Sequence, residues 1–303
     1  MPDELAPLPQ IRQWYNKRSP YMPGTLFVVA TPIGNLEDIT VRALRVLRSV
    51  AVIAAEDTRR TAQLLARHAI TTPTTSLHEH NESGKAPAIV ERLARGEDVA
   101  VVSDAGTPTV SDPGGRLIRA AIDAGIRVEP IPGASAVLAA LAVAGFDTDA
   151  FAFFGFPPTR SADRKRWFDR LAAIRGTVVF FEAPRRIAST LDELRRTIGD
   201  CEVVVARELT KVHEQLVRGP ISDVAVRLSE VKGELTVVVD IGQSANIRPA
   251  TAVTPEALTV EFGELTKSTR LTRRAAIAQL ARRHQLPPNE VYRILETAKK
   301  SGR

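Results

Sequence analysis

The residues able to do chemistry in this chain stand in six short clusters, each directly after an apolar run. Thr31-Pro32-Ile33-Gly34-Asn35 follows the run from Thr25, Glu56-Asp57-Thr58-Arg59 follows Val50 to Ala55, and Ser103-Asp104-Ala105-Gly106-Thr107-Pro108 follows Val99 to Val102. Pro132-Gly133-Ala134-Ser135, Glu182-Ala183-Pro184-Arg185 and Arg207-Glu208-Leu209-Thr210-Lys211 close three more runs. Carboxylates of this kind accept protons or pair with cationic ligands, while Arg and Lys hold phosphates. Glycine lets the backbone approach a ligand closely, which favours the Asp104–Gly106 cluster as a binding loop. Any one cluster reads equally well as a turn, and Asp112 before Pro113 reads as the cap of the helix that follows. Six in succession point to a shared ligand cleft.

Several other chemistries lack their residues. No G-x-G-x-x-G follows the first run, no G-x-x-x-x-G-K-[ST] phosphate loop exists, and Gly133-Ala134-Ser135-Ala136 lacks the second glycine of a nucleophile elbow. His78 and His80 have no third ligand nearby, so no metal is expected. Cys201 is the only cysteine; it excludes an intramolecular disulfide and reads as a small buried apolar residue. The N-terminus shows no export signal and the longest nearly pure apolar run, Ala136 to Phe146, is too short for a membrane span, so a cytoplasmic protein is expected.

The elements that must position these clusters alternate. Apolar strands at 25–30, 50–55, 99–102 and 128–131 are separated by helical patterns at 58–68, 87–95 and 114–124. This is the pattern of a mostly parallel α/β sheet covered on both faces, in a domain spanning 24–145. Ala134 to Ala144 has no polar face and is expected to be a fully buried helix. A second, mixed α/β domain is expected at 146–243, with strands at 178–181, 203–206 and 235–241 and helices at 161–174, 187–197 and 221–230. A linker follows at 244–267, and residues 1–23 read as a proline-rich, loose extension.

Charge concentrates at the other end. Residues 267–303 hold ten basic and two acidic residues, net +8, which leaves the rest of the chain at −2. Helical patterns at 272–284 and 289–299 flank a Gln285-Leu286-Pro287-Pro288 break, so 268–303 is a basic helix-turn-helix-like module. Leu280, Leu286, Val291 and Ile294 supply its small core, and Arg273, Arg274, Arg282 and Arg283 face outward as phosphate partners.

Taken in order, the six clusters resemble those of the bacterial 16S ribosomal RNA cytidine 2′-O-methyltransferases, in the tetrapyrrole-methylase-like class of S-adenosylmethionine enzymes. The likeness runs over residues 25–241. It implies a two-domain fold of that class, a homodimer, S-adenosylmethionine bound between the domains, and 16S rRNA or the 30S subunit as substrate. Carried over, the cofactor would meet Pro32, Gly34, Asp104, Gly106, Thr107, Ser135, Ala136, Phe181, Arg207 and Thr236. The class often has a G-x-G-type first turn, of which only Gly34 remains here.

Transfer of a methyl group to a ribose hydroxyl requires in-line alignment and a proton acceptor within hydrogen-bond reach. Asp57, Glu56, Glu182 and His80 are the candidates. Arg59, Arg185 and Lys211 are candidates for RNA phosphates. Two alternatives are a tetrapyrrole or corrinoid methyltransferase, which has no need of the basic tail, and a noncatalytic nucleic-acid-binding regulator, which has no need of the polar strand ends.

Overall fold

Strands that are apolar at every position must be covered on both faces, and they form the centre of a parallel sheet. The computed structural model describes residues 22–228, 231–241, 255–268, 272–283 and 288–301. Its first sheet contains β1 (Thr25–Val29), β2 (Val52–Ala55), β3 (Thr74–Ser76), β4 (Val99–Val102) and β5 (Arg127–Ile131) in the order β3-β2-β4-β1-β5, all parallel. Leu26 is in register with Val99 on one side and Val128 on the other. Helices α1 (Val41–Ser49) and α2 (Thr58–Arg67) bury Val46, Leu47 and Leu65 against Phe27, Val29 and Ile53. On the opposite face α3 (Glu82–Ala94) and α4 (Gly115–Asp123) bury Ile89, Leu93 and Leu117 against Leu26, Val99 and Val101.

The second sheet is mixed. It contains β6 (Phe151–Phe153), β7 (Thr177–Glu182), β8 (Glu202–Arg207), β9 (Gln215–Pro220) and β10 (Leu235–Asp240) in the order β6-β7-β10-β8-β9. Only the β6–β7 pair is parallel. Alternation decides the two faces of β7: Phe180 meets Trp167 of α6 (Ser161–Ala172), while Val179 meets α5 (Ala136–Ala144). Helices α7 (Ile187–Ile198) and α8 (Ile221–Arg227) bury Leu191, Leu194 and Val224.

Four expectations change. First, α5 packs Val137, Ala140, Leu141 and Ala144 on the second sheet, so the lobe boundary falls before this helix and not at 145. Second, α5 is not buried all round, because Leu138 is 58% and Val143 41% exposed. Third, α3 begins at Glu82, with Pro87 inside it. The Asn81 side chain accepts from the His78 N–H at 2.9 Å and turns the chain early, and the Glu82 side chain is drawn into the core. Fourth, residues 255–268 of the expected linker are a helix. The sequence pattern marks no element at α1, β3, β6 or β9; the three strands are sheet edges, and β3 and β9 have little apolar character.

Residues 244–303 form a second compact unit. Here α9 (Pro255–Ser268), α10 (Arg273–Arg283) and α11 (Pro288–Ser301) enclose Leu258, Leu280, Ala281, Val291 and Leu295, with Ile294 packed beside them. Leu286 and residues 1–21 lie outside the described residues. Among the described residues no helix is long and apolar enough to cross a membrane.

Candidate active site

The strand ends are tied to one another by their own polar groups. Thr31 and Gly106 exchange backbone hydrogen bonds at 2.9 and 3.0 Å, which joins the turn after β1 to the loop after β4. The Asp104 N–H donates to Glu56 Oε2 at 3.1 Å, and the Asp57 N–H donates to Asp104 Oδ1 at 2.9 Å. The ends of β2 and β4 are therefore clipped together, with both carboxylates turned toward the same space. The loop from 103 to 114 holds Gly106 (φ 79°) and Gly114 (φ 117°), and also two non-glycine residues at positive φ, Thr109 (74°) and Ser111 (68°). For a β-branched residue such as Thr109 that conformation is costly, of order 1–3 kcal/mol.

Two adjoining cavities lie at these strand ends. The larger, about 420 Å³, has an acidic end formed by Glu56, Asp104 and Asp112 of the first lobe. Its second-lobe side is mainly apolar, with Val137, Phe156, Phe181, Ala206, Leu209 and Leu235, and also carries Thr236, Glu182 and Glu234. Phe181 is fixed between Phe153 and Phe156, at ring distances of 5.0 and 5.4 Å. The smaller, about 220 Å³, is lined by Thr31, Pro32, Gly34, Gln63 and Lys211. Ile33, Arg60, Asp104, Ala105 and Glu234 border both, so the smaller cavity adjoins the acidic end.

Of the expected cofactor residues, Asp104, Gly106, Thr107, Ser135, Ala136, Phe181 and Thr236 line the larger cavity. Ser135 also caps α5 through the Leu138 N–H. Pro32 and Gly34 line the smaller cavity instead. Arg207 lines neither; its Nε donates to the Lys232 carbonyl at 2.7 Å and the adjacent Ala206 faces the cavity.

The four proton-acceptor candidates separate sharply. Asp57 caps α2 and chelates Arg59, with Oδ1 accepting from Nε at 3.0 Å and Oδ2 from Nη2 at 2.7 Å. The Arg59 hydrogen bonds hold the Asp57 carboxyl far below the usual range, which makes it a poor base at any ordinary pH. Glu182 is enclosed: its Oε1 accepts from the Ala183 N–H and the Arg186 guanidinium, and its Oε2 from Thr190 Oγ1 at 2.6 Å. His80 borders neither cavity and stacks edge-on to His78 at 6.1 Å. Glu56 remains in the cavity. Burial raises its carboxyl above the ordinary value and the charge of Asp104 adds to this, against the hydrogen bond from the Asp104 N–H.

The basic candidates also redistribute. Arg59 is spent on Asp57, while Arg60, one residue on, reaches both cavities and approaches Asp104 Oδ2 at 3.5 Å. Lys211 borders the smaller cavity, held by Glu208 at 3.0 Å and Glu234 at 2.9 Å. Arg185 is exposed and borders neither cavity. In the C-terminal unit Arg273 lies over the Tyr292 ring at 5.5 Å; Arg274, Arg282 and Arg283 share its helix, with side chains outside the described ones. Arg60 and Asp112 carry a signal in sequence only by proximity, Arg60 directly after the Glu56–Arg59 cluster and Asp112 four residues after Pro108. It was hidden because neighbours compete for the same role, Arg59 for Arg60 and a helix cap for Asp112. Among the described residues no group of three or more His, Cys, Asp or Glu is placed to hold a metal ion.

A parallel sheet joined to a mixed one, with a ligand cavity between their polar strand ends, defines a class. The chain belongs to the tetrapyrrole (corrin/porphyrin) methylase family, which matches residues 25–225. Within it, the chain is similar to proteins named ribosomal RNA small subunit methyltransferase I. That of Synechocystis is 43% identical over 274 residues, 89% of this chain and 97% of that protein. That of Vibrio cholerae is 41% identical over 283 residues, 92% and 96% of the two chains. Among solved structures, the methyltransferase CobJ shares the fold at a TM-score of 0.57 and 21% identity, over 73% of this chain and 95% of that one. Uroporphyrin-III C-methyltransferase of Thermus thermophilus, complexed with S-adenosylhomocysteine, does so at a TM-score of 0.53 and 18% identity, over 73% and 97%.

Proposed function

We propose that this protein is an S-adenosylmethionine-dependent methyltransferase of 16S ribosomal RNA, which places a methyl group on the 2′-hydroxyl of a cytidine ribose. The observation that carries the reading is the two-ended cavity. The aromatic and aliphatic side chains of the second lobe suit an adenine, and Glu56 and Asp104 suit the cationic sulfonium and amino groups. When bound, S-adenosylmethionine supplies an activated methyl group. Phe181 and Leu235 orient the ring, Asp104 and Glu56 orient the charged portion, and the smaller cavity admits the acceptor nucleotide beside the acidic end. Arg60 and Lys211 are the cations that border that approach, and they meet the RNA backbone. Alignment of hydroxyl and methyl at this junction supplies much of the acceleration.

The similarity to small-subunit rRNA methyltransferases over nearly the whole chain supports the substrate, and so does the basic tail. The protein acts in the cytoplasm on the small subunit. It works as a homodimer, a reading supported by the uncovered Leu138 and Val143 face of α5. The test is transfer from labelled S-adenosylmethionine to 30S subunits lacking the modification, with nuclease mapping of the label. A labelled 2′-O-methylcytidine in the decoding region is expected. Cofactor binding without transfer to the subunit, followed by transfer to a tetrapyrrole, would overturn the substrate.

Because α9 contributes Leu258 to the core of the C-terminal unit, the informative truncation removes 244–303 and not 268–303. That deletion is expected to weaken 30S binding by at least about tenfold and to flatten its salt dependence, since fewer counterions are released. Cofactor affinity should stay within about twofold. Equal loss of both affinities would show that the unit supports the catalytic lobes and not the RNA.

A further inference from the structure

Asp112 stands where a helix cap is expected, yet it caps nothing. The N-cap of α4 is Gly114, with no side-chain hydrogen bond to the helix. The first free N–H groups of α4, those of Arg116 and Leu117, are taken by the buried carboxylate of Glu82 at 2.7 and 3.0 Å. Another helix has thus assumed the capping role, and Asp112 is turned into the larger cavity beside Glu56 and Asp104. Ser111, immediately before it, is held at a φ of 68°.

The three carboxylates at this end are not equivalent. Glu56 accepts the Asp104 N–H, and Asp104 accepts the Asp57 N–H and faces the Arg60 guanidinium. Asp112 lies beside Ser103 and forms no ion pair with a described lysine or arginine. It is the carboxylate there least committed to holding the structure.

We propose that Asp112 is the catalytic proton acceptor of the methyl transfer, taking the proton of the acceptor ribose hydroxyl. This rests on the rRNA reading above. The hydroxyl O–H bond breaks and its proton passes to the Asp112 carboxylate. The oxygen lone pair forms the new bond to the methyl carbon, and the carbon–sulfur bond breaks with its electron pair left on a neutral thioether.

Burial pushes the Asp112 carboxyl up to about 6, and the charges of Glu56 and Asp104 add to that, against the nearby Ser103 hydroxyl. The value suits a base that is ionised near neutrality yet basic enough to accept a proton. The groups facing it are Glu56 after β2, Asp104 and Ser103 after β4, and Arg60 from α2. Across the cavity stand Glu182, bound to Arg186, and Glu234, bound to Lys211.

The test compares wild type with Asp112→Asn in single-turnover transfer to 30S subunits, in cofactor affinity by calorimetry, and in melting of the ligand-free proteins. Asp112→Asn should lose about 10²–10⁴-fold in transfer rate with cofactor affinity within about threefold. The wild-type rate should level off above about pH 6, whereas the variant's should keep rising about tenfold per pH unit as hydroxide replaces the missing base. A carboxyl raised on folding costs stability as pH climbs from its unfolded value through its folded one. The variant should therefore melt higher than wild type, by a margin that grows from about pH 4 to about pH 6 and then levels off. This also reports that the variant is folded.

A wild-type rate and pH profile in Asp112→Asn would overturn the proposal, as would a loss confined to cofactor affinity, which would make Asp112 a cofactor ligand. If wild type itself binds the cofactor and methylates no small subunit, the rRNA reading fails and the proposal falls with it. If wild type is active and the variant unaffected, only the proposal fails.

Discussion

Replacing Gly34 with alanine is expected to lower methyl transfer by at least about a hundredfold, and S-adenosylmethionine affinity by about tenfold, in a protein whose lobes both remain folded. The reason is steric. A Cβ on Gly34 would lie 2.5 Å from Lys211 Cγ, 2.8 Å from Thr210 Oγ1 and 3.0 Å from the Leu209 carbonyl oxygen. The turn it meets cannot give way cheaply. Glu208 and Thr210 are both held at positive φ, 50° and 65°, and the turn is braced by Glu208 accepting from the Glu234 N–H at 2.8 Å and Glu214 accepting from the Thr210 N–H at 2.6 Å. The Asn35 N–H also donates to Thr210 Oγ1 at 3.0 Å across the same seam. Relief must come from separation of the lobes, and both cavities depend on that seam for their walls. A displacement of about 1 Å at a reacting centre costs on the order of 10² in rate. The measurement is calorimetric binding and single-turnover transfer beside a melting curve. A Gly34→Ala protein that binds and transfers like wild type would show that the seam yields without cost.

The second large effect is on stability. Glu182→Ala should lower the melting temperature by roughly 10 °C, corresponding to about 3 kcal/mol, while transfer per folded molecule keeps its pH profile. The Glu182 side chain is 0% exposed and paired with Arg186, and its second oxygen takes the Thr190 hydroxyl. Thr190 in turn accepts from Arg164 at 2.8 Å, so α6, α7 and the end of β7 share one buried polar network. Removal of the carboxylate strands the guanidinium and the hydroxyl together, the costly way to break a buried pair. Chemical denaturation at neutral pH, with transfer assayed at a temperature where the variant is folded, checks both halves. An unaltered melting curve with a lost transfer rate would return Glu182 to the role of base.

The contrast between Glu182 and Asp112 shows where reading from sequence stops. Both are acidic residues next to a proline-containing turn after a strand, and both have an obvious local explanation. Local pattern could not tell that Arg186 and Thr190 would close over Glu182. Nor could it tell that Glu82, thirty residues from Asp112, would cap the helix that follows Asp112. Arg59 and Arg60 make the same point at single-residue resolution: a helix turns about 100° per residue, so one falls back on Asp57 and the other reaches the cavities.

The sequence by itself determined the alternating α/β order, the parallel character of the first sheet, the basic tail and the six clusters that border the site. Those properties reside in period, composition and the residues that end a strand, and they are local. Tertiary structure alone decided that α5 belongs to the second sheet, that 255–268 is a helix of the C-terminal unit, and which carboxylates are spent. Each of these depends on a partner distant in the chain. An all-apolar helix carries no mark of which sheet it will cover, and an aspartate carries no mark of whether a hydroxyl, a guanidinium or open cavity will face it.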